Sequence, residues 1–115
     1  MRTYQDIFTT VYNHLIKQGV RAVDKGDACV YRAENGMKCA IGCLITDAAY
    51  DMEIEARDLE DITPVLTKSR IPTSVRSMKF LNGLQAAHDY SLRRGIPKFK
   101  QAMRQIAVDY KLELP

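Results

Sequence analysis

A chain of 115 residues with 46% hydrophobic and 27% charged side chains has the balance of a single globular domain, which excludes disordered and fibrous classes. Its formal net charge of +3 is too small to define a nucleic-acid-binding protein by itself, and no apolar run approaches the ~20 residues that cross a bilayer. The first residues lack an apolar secretory core and the three cysteines are an odd number, so the expectation is a cytosolic chain, one domain over 1–115, without a disulfide framework.

In chain order, Thr3 and Asp6 have the spacing of a capping box with Asp in place of Glu. Ile7, Phe8, Val11 and Leu15 form a helical stripe and Gly19 is a stop signal, so a helix is predicted over 3–18. Asp24-Lys25-Gly26-Asp27 reads as loop. Ala28–Arg32 and Met37–Cys39 are short segments around Asn35-Gly36, a dipeptide suited to the positive φ angles of a tight turn. They predict a small β-hairpin, which must pack on helices to persist. Ala40–Ile45 is too short for periodicity to decide; in a helix, Cys39 and Cys43 would share a face. Gly42 interrupts this apolar run, and a close backbone approach is expected there. The acidic stretch that follows has weak periodicity through Ile54, Leu59, Ile62 and Leu66, consistent with loop and one or two helical turns. Pro72-Thr73-Ser74 starts a helix over 74–90, and Pro97 starts a last one over 97–111. The predicted class is α+β, mostly helical: an N-terminal helix, a small β-hairpin and two C-terminal helices around one core.

Charge is segregated along the chain. Residues 47–61 carry seven acids and one base, whereas 62–104 carry nine bases and one acid, Asp89. This pattern fits either two solvated faces or a docking surface for a charged partner. All three cysteines lie within 29–43. Cys29, Cys39 and Cys43 with His88, or His14 in its place, are the one set that could ligate zinc. Their spacing lacks a CxxC knuckle, and buried cysteines pack as small hydrophobes, so no metal and no cofactor is expected. His88 precedes Asp89, but neighbours on an α-helix diverge, so Asp89 is not expected to orient it. Tyr31 and Arg32, with Lys38 opposite, offer a ring and two cations for a phosphate or carboxylate. Arg93, Arg94, Lys98 and Lys100 crowd the turn before the last helix, where phosphates of a nucleic acid would also be favoured. Candidate partner- or ligand-contacting residues are therefore Tyr31, Arg32, Lys38, His88, Arg93 and Arg94. No phosphate-binding loop, dinucleotide turn, zinc-protease or nucleophile-elbow motif is present, and no enzyme is predicted.

Cys29-x-Tyr31-Arg32, Asn35-Gly36, Cys39-Ala40-Ile41-Gly42-Cys43-Leu44-Ile45, Asp47 and Tyr50, with His88-Asp89 downstream, resemble a group of small phage- and prophage-encoded proteins without an assigned activity. The match is densest over 29–50 and brings no catalytic residues with it. It implies a mobile-element origin and a host-cytoplasm setting. The leading expectation is an accessory protein that binds a host protein, as an inhibitor of a host enzyme or defence system. The alternatives are a module sequestering a nucleotide or another small phosphorylated ligand, and a nucleic-acid-binding protein. No membrane partner is expected.

Overall fold

The computed structural model describes residues 1–115 and is organised around four α-helices. Helix α1 spans Tyr4–Gln18; the Thr3 hydroxyl accepts the Asp6 N–H, and Gly19 closes the helix with a left-handed φ of 77°. Its stripe of Ile7, Phe8, Val11 and Leu15 is wholly buried. A short helix α2 follows at Thr63–Lys68, then α3 at Val75–Ala86 and α4 at Ile96–Tyr110. Ser74 caps α3 by accepting the Ser77 N–H. Helix α3 runs on into a π-helical turn, Ala87–Ser91, and a 3₁₀ turn, Leu92–Arg94. Gly95, at φ 108° and ψ 166°, then reverses the chain into α4 through a backbone region open essentially to glycine alone.

Aromatic rings bind α1, α3 and α4 together. Tyr4 stacks on Phe80 at 4.5 Å, Phe80 meets Tyr110 at 4.9 Å, and Tyr12 faces Phe99 at 6.1 Å. Buried Ile41, Leu44, Ile62, Leu66 and Ile71 from the middle of the chain complete one continuous core. No helix is long and apolar enough to cross a membrane.

The predicted α+β class is corrected by this architecture. The fold is helical over 54% of residues, with 3% strand and no sheet, so the β-hairpin does not form. The Asn35-Gly36 turn is present, with Gly36 at φ 86°, but it carries one isolated bridge, Arg32 to Lys38. Side chains distant in sequence take the groups a ladder would use. Glu55 accepts the N–H groups of Tyr31 and Arg32 at 2.8 and 3.1 Å. Gln18 of α1 accepts the Lys38 N–H at 2.9 Å and donates to the Lys38 carbonyl at 2.9 Å. Every backbone group is obliged to find a partner, and here side chains complete what two cross-turn backbone bonds, Ala33 N–H to the Met37 carbonyl at 2.8 Å and Cys39 N–H to the Tyr31 carbonyl at 3.0 Å, leave open.

Candidate functional site

The cysteine-rich segment is tied to the rest of the molecule by long-range side-chain bonds. The Arg32 guanidinium donates to the Ile45 carbonyl at 2.7 Å, pairs with Asp47 at 2.8 Å and lies 4.5 Å over the Tyr50 ring. Tyr50 donates to Glu55 at 2.6 Å, so one carboxylate ties together two backbone N–H groups and a phenol. Burial, then the hydrogen bond and charge of Glu55, push the Tyr50 phenol up to about 12. Tyr31 is buried and donates its hydroxyl to the Arg57 carbonyl at 2.6 Å. Its phenol is raised, first by burial. Tyr31 and Arg32 therefore pin the 31–57 region together, and each also borders an open depression, Tyr31 one of about 360 Å³ and Arg32 one of about 630 Å³. Lys38 contributes its backbone to α1, through Gln18 and through His14, whose Nε2 lies 3.0 Å from the Lys38 carbonyl.

The sulfur atoms do not form one centre. Cys39 is wholly buried and its sulfur accepts the Gly42 N–H at 3.2 Å. The Cys43 thiol donates to the Ala40 carbonyl at 3.1 Å. Burial pushes both thiols up to about 12, which withholds the thiolate needed for nucleophilic attack. Cys29 alone meets His88, in a cluster with Asp89 whose ligand atoms lie within 4.8 Å of one another. Its thiol is raised too, by burial first and then by the charge of Asp89.

His88 is fully buried, and both ring nitrogens are engaged. Nε2 accepts the Ala22 N–H at 2.9 Å, which fixes the proton on Nδ1, and Nδ1–H donates to Asp89 at 2.7 Å. A metal on Nδ1 would demand lone pairs on both nitrogens of one ring, an imidazolate, or loss of the Ala22 bond. The donor set thus does not suit an ion, and His88 anchors the chain that follows α1. The expected divergence of His88 and Asp89 is corrected here: hydrogen bonding in the π turn widens the helix, and the Asp89 carboxylate reaches its neighbour's ring.

Of the open depressions, one of about 630 Å³ is lined by Lys25, Arg32, Glu34 and Glu55, and two others meet at Asp89 and Tyr90. Asp89 lines a cleft of about 360 Å³ with Cys29, Glu55, Asp58, Glu60 and Arg57, and Asn82 of α3 donates to Glu60 across it at 3.0 Å. Tyr90 lines a groove of about 450 Å³ with Ser91, Arg94, Lys98, Gln101 and Gln105. The two arginines singled out in the sequence separate: Arg94 enters this groove, whereas Arg93 lies in a depression with Val20, Val23 and Met37. Sequence reasoning placed Lys98 in the basic cluster but missed Glu55 and Tyr90 as site residues; the available signal for Tyr90 was an aromatic residue off the apolar stripe of the predicted 74–90 helix. No protein-family model, curated protein or solved structure matches the chain.

Proposed function

We propose that this chain is a non-enzymatic, phage-encoded accessory protein that acts in the host cytoplasm by binding a host protein, as an inhibitor of a host enzyme or defence system. The observation that carries the binding reading is the division of the surface at Asp89 and Tyr90 into an acidic cleft and a basic groove. The side chains that could do chemistry are consumed in holding the fold: His88 at both nitrogens, Arg32 by Ile45 and Asp47, Cys39 and Cys43 by burial. The host protein docks a basic surface on the acidic face, where Asp58 and Glu60 are exposed beside the cleft. Complementary charge of this kind governs encounter rate and partner choice more than raw affinity.

The test is affinity capture from host lysate by the wild-type chain, by Asp58→Lys/Glu60→Lys and by Arg93→Glu/Arg94→Glu, with both doubles checked for an unchanged melt. One host protein should be retained by wild type and lost on reversal of the acidic pair. Its association rate should fall as salt rises, because screening shortens to ~8 Å near physiological ionic strength. The purified host protein should also lose activity when the chain is added. Equal capture by all three forms, with a salt-independent on-rate, would refute docking through the acidic face.

A further inference from the structure

We propose that the groove between the π-helical turn and α4 is a binding site for single-stranded nucleic acid, separate from the acidic cleft. Its lining holds two cations, Arg94 and Lys98, and three neutral hydrogen-bonding side chains, Ser91, Gln101 and Gln105, with no carboxylate among them. Arg94 and Lys98 have no salt-bridge partner within the chain, so their charge is free for a ligand. Lys98, Gln101 and Gln105 recur at three- and four-residue spacing on α4, along one side of the helix. They form a rail that Tyr90 and Arg94 face from the other wall.

Tyr90 decides between a nucleic acid and an acidic protein. It is 72% exposed and is the one aromatic residue among the large exposed apolar side chains. Tyr4, Tyr12, Phe80, Phe99 and Tyr110 are committed to ring contacts within the core, and Tyr31 to the Arg57 carbonyl. An uncovered ring beside free cations is the combination that single strands use: bases stack on the ring while the backbone tracks the charge. An acidic peptide would need the cations but not the ring. A duplex keeps its bases stacked within itself and offers the ring no face.

The experiment is fluorescence anisotropy of the full chain with short labelled oligothymidylate and oligouridylate, a labelled duplex, and labelled polyglutamate as an anionic protein-like control. Saturable binding of a single strand, weaker binding of the duplex and weakest binding of polyglutamate are expected. Preference between the two single strands tells DNA from RNA. Tyr90→Ala should weaken single-strand binding by roughly five- to 150-fold, whereas Tyr90→Phe should retain it. Lys98→Glu and Arg94→Glu should each reduce affinity at least about tenfold. They should also flatten the salt dependence, whose wild-type slope for two phosphate contacts is about −1.4. These side chains lie on the surface, and a melt confirms that each variant is folded. The proposal is overturned by absence of single-strand binding, by affinity for polyglutamate equal to that for the oligonucleotides, or by indifference to Tyr90→Ala. None of these results bears on host-protein capture through Asp58 and Glu60.

Discussion

Replacing Gly42 by alanine should unfold the protein at markedly lower denaturant, although the change adds one methyl group. A Cβ at this position would stand 1.9 Å from the Tyr31 carbonyl oxygen, 2.7 Å from its carbon and 3.2 Å from its Cα. Ordinary contact begins near 3.4 Å, so the Tyr31 carbonyl would have to withdraw by about 1.5 Å. It is held on three sides: its N–H by Glu55, its hydroxyl by the Arg57 carbonyl, and its own oxygen by the Cys39 N–H at 3.0 Å. Overpacking costs ~1–3 kcal/mol and loss of the Cys39 hydrogen bond adds ~1 kcal/mol, so the expected destabilisation is about 2–4 kcal/mol. At roughly 4 °C per kcal/mol for a domain of this size, the melting temperature should fall by about 8–16 °C. Gly42→Val should be worse. Gly83→Ala is the control, because its Cβ would meet only Ile106 Cδ1 at 3.8 Å, inside a helix where alanine is favoured by ~0.5–1 kcal/mol. Urea unfolding followed by circular dichroism gives both values. Equal midpoints for wild type and Gly42→Ala would show that Tyr31 does not press against residue 42, and equal losses at 42 and 83 would make the effect generic to glycine.

Glu55→Ala should cost about 2–4 kcal/mol in urea unfolding, since it leaves the Tyr31 and Arg32 N–H groups and the Tyr50 hydroxyl without their acceptor; a loss under about 1 kcal/mol would mean that water replaces the carboxylate easily. The thiols predict alkaline lability. Burial pushes the folded Cys39 and Cys43 thiols up to about 12 from an ordinary 9.0, so the unfolded chain ionises first. The stability that burial of the neutral thiols contributes is whole below about 9 and is lost as pH rises towards about 12. Unfolding midpoints measured across that window should fall steadily, and a flat profile would contradict the burial. Within the native state at neutral pH, disulfide reagents should modify Cys29 before Cys39, which is wholly enclosed.

Local signals served the helices well and the middle of the chain poorly. The expected 3–18 and 97–111 helices lie within one residue of α1 and α4, because apolar spacing, Thr3, Gly19 and Pro97 are all read from neighbours in sequence. The close approach at Gly42 was legible for the same reason: a glycine inside an apolar run leaves a gap that something must fill. The hairpin stops at one bridge and does not extend into a ladder, because the remaining backbone groups have remote partners. Glu55 and Gln18 lie about twenty residues from the N–H groups they accept, and nothing in the alternation of residues 28–39 marks those groups as taken. The π turn was equally hidden, since hydrogen bonding one residue wider leaves the residue types unchanged while bringing Asp89 onto His88.

The same division separates scaffold from surface in the candidate sites. Cysteine, arginine, tyrosine and histidine drew notice in the sequence as chemically capable groups, yet Tyr31, Arg32, Cys39 and His88 are spent on internal bonds. A distinctive motif is therefore as readily the signature of a demanding fold as of a reaction. A loop-rich segment with no sheet must satisfy its backbone by side chains, and each such side chain becomes irreplaceable in type. Residues free to meet a partner are the plainer ones that the fold leaves unbonded. Asp58 on the acidic face, and Tyr90, Arg94 and Lys98 around the groove, have no intramolecular side-chain partner. Recognition is assigned to these residues because they retain charge, ring face and access to solvent once the demands of the fold are met.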